Sequence, residues 1–330
     1  MVLDDDLDEI IESEYKRAIE ILDELGMIEY LESKYGINYK VPELEIVEDG
    51  PFIAKYSNSK KKIIFSKGSI EREIDNQLKF LGYEGIKRSI SDIQGIEHLK
   101  YWKYNYHSNI EKYSKLFENE ISFSKKPIET TDNLLEYSNY KGKRNICYLN
   151  KSYNSILLYP FYINKKNIIE AIAESIIRSI KFHEFWHSFD RSILNKLDKD
   201  FTIKDRDYLL IILNDHDNRE LRASAFEVIM YYLVTGLYKD EKGLVAAYSN
   251  IPTCREYIEE MNKLEKDEHK RIRVPYDLGF CYGNIIVVKY KSSLKENIYK
   301  IIDDIINLDK ERAIDVIKHY GDNFEKLLHD

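Results

Sequence analysis

The sequence predicts an α+β protein that is mainly helical and carries a small mixed sheet. Apolar residues recur every three or four positions over long stretches, as in helices that face a core. Short β-branched and aromatic runs at residues 41–66 and 144–162 suggest strands. With 330 residues, of which 43% are hydrophobic, the chain can bury a large core. We predict an N-terminal helical segment at 1–40 and a main unit at 41–330, with a helical insertion at about 69–140.

The first half of the chain is predicted to form one helix followed by two strand pairs. Between residues 7 and 31 the apolar positions form a single helical stripe, and Gly26 is expected to end or kink that helix. The runs "ELEIVEDGPFIAKY" and "KKIIFS" flank the polar "SNSK", which favours two strands joined by a turn. A second strand pair is expected in "RNICYLN" and "SILLYPFY", where Pro160 favours an edge position.

The second half predicts packed helices. An isoleucine stripe from 168 to 180 runs directly into "KFHEFWHSFD", so this motif is expected on a long helix. "DHDNRELRASAFEVIMYYLVTGL" predicts another helix, with Asp217 as its N-cap and Gly236 at its end. Further on, Gly279 and Gly283 lie four residues apart, a spacing that allows two helices to approach closely.

Composition and charge narrow the classes of function and location. The net charge of -8, with the two signs nearly balanced, argues against a general phosphate-binding surface. The aromatic and lysine residues at 98–115 are more typical of a half-buried helix than of a nucleic-acid site. The start "MVLDDDLDEI" is unlike a secretory signal, and no apolar run suggests a membrane span, so we expect a cytoplasmic protein. The three cysteines are widely spaced, and we expect ordinary buried thiols.

The residues with a clear chemical signature are His183, Glu184 and His187. Four residues in a helix correspond to about 400° of rotation and about 6 Å of rise, so both imidazoles project from one face. Two imidazoles at this spacing can bind one zinc ion. Glu184 is placed to act as general base on a water activated by the metal. By chance, this pattern is expected only about 0.02 times in a chain of this composition.

A third metal ligand must come from another segment. Glu220, in "ELRASAF", is the preferred donor because the small residues Ala223 and Ala225 would let its helix approach the motif helix. The pair Asp217 and Glu220 also resembles a capping box, which is the structural alternative. Glu227, two turns further along the same face, is the second candidate ligand.

These residues resemble the gluzincin metallopeptidases, in which a glutamate on a following helix completes an H-E-x-x-H site. "HEFWHSFD" and "ELRASAF" are similar to the active-site helices of the anthrax lethal factor type, and E-x-x-A-x-x-F is shared with the ImmA/IrrE-type peptidases. The resemblance covers residues 178–230. It implies a zincin-like catalytic core in the unit 41–330, zinc ligands at His183, His187 and Glu220, and a general base at Glu184.

One position departs from the lethal factor type. That type has a tyrosine seven residues before the ligand glutamate, where this chain has Leu213. Another residue must therefore stabilise the developing oxyanion. Tyr276 is our first candidate, followed by His269 and Tyr208. Asp190 is a candidate for orienting a ligand histidine, or alternatively a solvated or capping residue.

The predicted function is a zinc-dependent intracellular peptidase that acts on peptide or protein substrates. The sheet is expected to lie over the motif helix, with "SILLYPFY" as the edge strand that pairs with an extended peptide. The alternative is a peptide- or DNA-binding regulatory protein with a peptidase-like fold and a non-catalytic zinc site.

Overall fold

The computed structural model describes residues 4–80, 138–140, 143–150, 155–160, 168–202, 205–239, 244–264, 266 and 268–323. The helices are α1 (Asp4–Glu24), α2 (Met27–Tyr35), α3 (Lys67–Phe80), α4 (Ile168–Leu197), α5 (Arg206–Asn214), α6 (His216–Thr235), α7 (Val245–Leu264), α8 (Glu268–Arg271), α9 (Val274–Tyr290), α10 (Ile298–Ile306) and α11 (Lys310–Asp322). The strands are β1 (Glu43–Val47), β2 (Ala54–Ser57), β3 (Lys62–Ser66), β4 (Ser138–Tyr140), β5 (Lys143–Asn150) and β6 (Ser155–Pro160). The mainly helical α+β prediction is confirmed.

Most of the predicted insertion lies outside the described residues. This applies to residues 81–137, which include the aromatic and lysine stretch at 98–115. The division into a segment 1–40 and a unit 41–330 therefore stays a prediction. In the part of the chain that the structure describes, the longest apolar stretch of any helix falls short of a membrane span.

The break predicted at Gly26 is confirmed. Gly26 has a φ of 62° and separates α1 from α2. This left-handed conformation favours glycine, which has no Cβ to clash with the backbone. α1 packs against the motif helix α4, and the fully buried Lys181 of α4 donates hydrogen bonds to the carboxylate and the backbone oxygen of Glu14, at 2.5 and 2.7 Å. The N-terminal segment thus supports the helix that carries the motif.

The strands form two separate sheets, so the prediction of one sheet over the motif helix is wrong. In the first sheet, in the order β1-β3-β2, β1 and β3 are parallel and β2 and β3 form the predicted antiparallel hairpin. In the second, in the order β4-β5-β6, all pairs are antiparallel. β6, from "SILLYPFY", is an edge strand as predicted but contacts α7, whereas the strand that contacts α4 is β2. The strand next to the motif is therefore β2.

The motif helix is held by an aromatic core. Phe182, Phe185, Trp186 and Phe189 are fully buried, as their pattern around the motif predicts. Phe226 of α6 packs against this group, with its ring centroid 4.7 Å from that of Trp186. Burying each aromatic side chain contributes roughly 1.5–3 kcal/mol to folding. The polar motif residues thus project from a helix whose other faces are fixed by apolar packing.

Close packing of α9 on α6 depends on glycine. A Cβ added to Gly279 would lie 2.3 Å from the backbone oxygen of Leu221 and 2.7 Å from Cβ of Ser224. A Cβ on Gly283 would lie 2.9 Å from the backbone oxygen of Ala225. The close approach predicted from this pair of glycines is confirmed. Because Leu221 follows Glu220 directly, this contact also fixes the position of Glu220.

We expect Gly279→Ala to lower the free energy of unfolding by about 3 kcal/mol, because the new methyl group would push α9 away from the backbone of α6. The matched control is Gly321→Ala in α11, where the added Cβ would lie 3.0 Å or more from the flexible side chain of Arg255. Urea denaturation of both variants measures the difference. Equal stabilities would show that the α6–α9 contact tolerates a methyl group.

A buried ion pair joins α6 to α4. The Nη2 of Arg222 donates to Oδ2 of Asp190 at 2.7 Å, and its Nε donates to the same oxygen at 3.1 Å. The Nη1 of Arg222 donates to the backbone oxygens of Ile212 and Leu308, at 3.0 and 3.3 Å. Removing one partner of a buried pair leaves an uncompensated charge and costs about 3–5 kcal/mol. The pair therefore fixes how α6 lies against α4.

The prediction that the cysteines are ordinary thiols is wrong for two of the three. Cys254 of α7 and Cys281 of α9 form a disulfide across 27 residues of sequence. Both cysteines are buried, as predicted, but their separation in sequence hides their proximity in space. Disulfides persist mainly in oxidising compartments and are rare in cytosolic proteins, so this bond is unexpected for the predicted cytoplasmic location. That location stays a prediction.

Candidate metal centre

His183 and His187 lie on one face of α4, as their spacing predicts. Their ring centroids are 4.8 Å apart and the rings are nearly perpendicular, at 82°. His183 is 6% exposed and His187 is partly buried. The two side chains therefore line the floor of a cleft instead of projecting into bulk solvent.

Glu220 of α6 meets both histidines. Its Oε2 lies 3.1 Å from Nε2 of His183 and 3.5 Å from Nε2 of His187. One ligand atom from each of the three residues lies within 4.8 Å of the other two. In a tetrahedral zinc site with bonds of about 2.05 Å, neighbouring ligand atoms are about 3.3 Å apart. The cluster predicted from the sequence is thus confirmed as a group able to bind a metal ion, and two imidazoles with one carboxylate fit zinc.

The capping prediction for this helix is wrong. α6 begins at His216, and its N-cap is Asp215, whose carboxylate accepts a hydrogen bond from the backbone N–H of Asn218 at 2.8 Å. Asp217 therefore lies inside the first turn. With Asp215 as the cap, the side chain of Glu220 is directed to the histidines, and the capping-box alternative does not apply. Gly236 ends the helix with a φ of 70°, as predicted.

Glu227 orients a histidine of the cluster. Its Oε2 lies 3.3 Å from Nδ1 of His183, on the side of the ring opposite to Glu220. Its other oxygen accepts a hydrogen bond from the hydroxyl of Ser179. A carboxylate on the second nitrogen fixes the ring and its tautomer, and leaves Nε2 available for a metal. The sequence places Glu227 on the correct face but does not distinguish this role from that of a ligand.

The carboxylates around the cluster favour a positive charge at its centre. Burial lowers the pKa of His183, but hydrogen bonds with Glu220 and Glu227 and the nearby charge of Glu184 outweigh burial and raise that pKa to about 10. Burial raises the pKa of Glu220, but its hydrogen bonds with His183 and His187 hold that pKa far below its usual range. A divalent cation would replace the proton that these groups stabilise.

Glu184 points into the same cleft and is held from the sheet. Its Oε2 accepts a hydrogen bond from the backbone N–H of Tyr56 at 2.5 Å. Tyr56 belongs to β2, an edge strand of its sheet. One carboxylate oxygen is thereby fixed by the strand, which places Glu184 between β2 and the histidines.

Tyr276 of α9 covers the cluster. Its ring stacks on that of His183, with centroids 5.8 Å apart and planes 7° from parallel. Burial and the nearby charge of Glu220, with which its hydroxyl forms a hydrogen bond, raise its pKa well above the usual range. The hydroxyl therefore stays protonated and able to donate. Tyr276 is the predicted oxyanion donor that the structure brings to the cluster.

The other candidate donors are not at the cluster, or lie outside the described structure. The hydroxyl of Tyr208 donates to Oδ2 of Asp309 at 2.7 Å, away from the cleft. The side chain of His269 lies outside the described residues. Leu213, which stands where the lethal factor type has tyrosine, is fully buried in α5. Asp190 makes its hydrogen bonds with Arg222, so neither the orienting role nor a solvated or capping role describes it.

The residues of the metal cluster share one cleft with Glu184, Glu227 and Tyr276, and its volume is about 470 Å³. Its lining includes Ala54, Lys55, Tyr56 and Asn58 of the β2 region, together with His183, Glu184, His187, Glu220, Glu227 and Tyr276. Among the other lining residues, Arg191, His216 and Arg219 carry ionisable groups that the sequence patterns do not single out. Helical phase could have identified Arg191, which lies four residues after His187.

No family model, curated protein or solved structure matches the chain significantly. The likeness to gluzincins therefore rests on residues 178–230 and on the cluster itself. The structure shows a His183–His187–Glu220 group able to hold a metal ion.

Proposed function

We propose that the protein is a zinc-dependent peptidase of the gluzincin type with a zincin-like core. One observation carries the proposal: the carboxylate of Glu220 lies against the paired imidazoles, with Glu184 beside them in an open cleft. Two histidines and a glutamate make up the protein ligands of one class of catalytic zinc site, which leaves the fourth position for water. A structural zinc site would instead have four protein ligands.

A zinc ion held by His183, His187 and Glu220 would polarise the scissile carbonyl and lower the pKa of water. Glu184 accepts the proton of the attacking water and delivers it to the leaving amine. The hydrogen bond from Tyr56 holds one of its oxygens and leaves the other free for this transfer. Tyr276 donates to the developing oxyanion, and Glu227 holds the ring of His183 in place.

We propose that β2 binds the substrate backbone. It is an edge strand next to α4, and its residues 54–56 line the cleft. An extended peptide can add to such an edge by main-chain hydrogen bonds. This assigns to β2 the role that the sequence suggests for "SILLYPFY", because β6 lies against α7.

The test is cleavage of an unfolded protein, such as reduced casein, by zinc-loaded protein. We expect fragments to form, removal of zinc by a chelator to stop their formation, and added zinc to restore it. Mass spectrometry of the fragments identifies the cut bonds. Zinc-loaded, folded protein that leaves casein intact would overturn the proposal.

We expect Tyr276→Phe to lower kcat by about 10²-fold, the cost of removing one donor to an oxyanion, with zinc content unchanged. The ring that stacks on His183 is kept, so only the hydroxyl is lost. Tyr208→Phe is the matched control, since its hydroxyl binds Asp309 outside the cleft. Steady-state kinetics on one casein-derived peptide compares the two variants. If Tyr276→Phe keeps the wild-type kcat, another group stabilises the oxyanion.

A further inference from the structure

Two arginines line the cleft without a side-chain partner in the part of the chain that the structure describes. Among the described residues, the side chain of neither Arg191 of α4 nor Arg219 of α6 has a hydrogen bond or an ion pair, and the Nε atom of each is buried and unpaired. Other arginines of these helices are paired, since Arg178 binds Glu14 and Arg222 binds Asp190. Leaving guanidinium groups partly buried and unpaired costs free energy, so this pair needs a separate explanation.

The groups that interact electrostatically with the two arginines do not supply that explanation. The charge of Asp190 interacts with Arg219, but Asp190 makes its two hydrogen bonds with Arg222. The charge of Arg191 acts on the hydroxyl of Tyr56, which is a neutral group. Both guanidinium groups thus remain available to an anion that enters the cleft.

The two arginines lie at one end of the cleft. His183, His187 and Arg191 follow each other at intervals of four residues, so Arg191 lies about 6 Å further along α4 than His187. Arg219 directly precedes Glu220 in α6. Glu227, next to His183 and Ser179, lies at the opposite end. The cleft therefore has an acidic end and a basic end, with the metal cluster between them.

A carboxylate is the group that this basic end fits. A guanidinium offers paired N–H donors whose geometry matches the two oxygens of a carboxylate. The distance of about 6 Å from His187 corresponds to about two residues of an extended peptide. The protein as a whole carries a net charge of -8, so this basic end is a local feature and not part of a general anion-binding surface.

We propose that Arg191 and Arg219 bind a carboxylate of the substrate within about two residues of the scissile bond. This inference rests on the proposed peptidase function and names its substrate class. A peptide can supply the group as an aspartate or glutamate side chain, or as its C-terminal carboxylate. The first source makes the protein an endopeptidase that cuts near acidic residues, and the second makes it an enzyme that trims C-termini.

The experiment uses three libraries of octapeptides with random neutral residues, each labelled at the N-terminus with an uncharged methoxycoumarin. One library ends in a free acid, the second ends in an amide, and the third ends in an amide and contains one aspartate. We expect zinc-loaded wild type to cleave the first or the third at least about tenfold faster than the second. In Arg191→Gln and Arg219→Gln, we expect that ratio to fall below about threefold, with cleavage of the neutral library changed less.

The matched control is Lys196→Gln, which removes a positive charge from the same helix. Lys196 pairs with Asp200 at 3.0 Å and does not line the cleft. We expect this variant to keep the wild-type ratio. Equal cleavage of all three libraries by wild type, or an unchanged ratio in both arginine variants, would overturn the inference and leave the peptidase proposal intact.

A binding measurement separates the two proposals. Fluorescence anisotropy with zinc-loaded Glu184→Gln, which is expected to bind peptides without cutting them, gives the affinity ratio for the same libraries. We expect at least about tenfold tighter binding of one acidic library than of the neutral one. If wild type cleaves none of the libraries, the peptidase proposal fails, and this affinity ratio alone decides whether the arginines bind a carboxylate.

Discussion

Replacing Glu184 by glutamine is expected to lower kcat by about 10³-fold while the protein keeps its zinc, since proton transfer by a well-placed base contributes about 10²–10⁴-fold. The amide has nearly the same shape and can still accept the hydrogen bond from the backbone N–H of Tyr56. It cannot take a proton from water. Glu184 is outside the ligand cluster, so the metal content should not change. Kinetics on a casein-derived peptide and metal analysis of the same sample check both parts.

The matched control is Glu174→Gln, on the same helix as Glu184. Glu174 pairs with Arg178 at 3.7 Å and does not line the cleft. We expect this variant to keep the wild-type kcat. A Glu184→Gln variant that hydrolyses peptides at the wild-type rate would exclude Glu184 as the base and favour the alternative of a binding protein with a non-catalytic zinc site.

Replacing Glu220 by alanine is expected to lower zinc affinity by more than about 100-fold, because groups that only orient a metal ligand already account for about 10–100-fold. The loss removes the carboxylate whose oxygen lies 3.1 and 3.5 Å from the two imidazole nitrogens. His183→Ala is expected to have a similar effect. Competition with a chelator of known zinc affinity measures these changes, and circular dichroism shows whether the variants remain folded.

Glu227→Ala is the informative comparison. Glu227 lies 3.3 Å from Nδ1 of His183, on the side of the ring away from Glu220, so we expect a smaller loss of about 10–100-fold. A Glu220→Ala protein that holds zinc as well as wild type would contradict the ligand assignment. If Glu227→Ala lost more affinity than Glu220→Ala, the two glutamates would have exchanged roles.

The sequence allows more to be predicted about single elements than about their contacts. The long motif helix, the break at Gly26 and the hairpin of β2 and β3 follow from local patterns and are confirmed. The predicted N-cap of α6 is wrong by two residues. Asp215 and Asp217 both have side chains suited to capping, and only the position at which the helix starts decides between them. The prediction of which strand lies over the motif is also wrong, because β2 and β6 are both edge strands with similar β-rich sequences.

The sequence by itself determined that His183, Glu184 and His187 project from neighbouring positions of one helix, since 3.6 residues per turn is a local property of the backbone. Only the tertiary structure decided that Glu220 meets the histidines while Glu227 holds the far side of one ring. Both glutamates lie on the same face of α6, and the choice depends on how α6 is fixed by the Asp190–Arg222 pair and by Gly279. The same packing brings Arg191 and Arg219 to one end of the cleft. Contacts of this kind arise from many residues distant in sequence, so no local pattern specifies them.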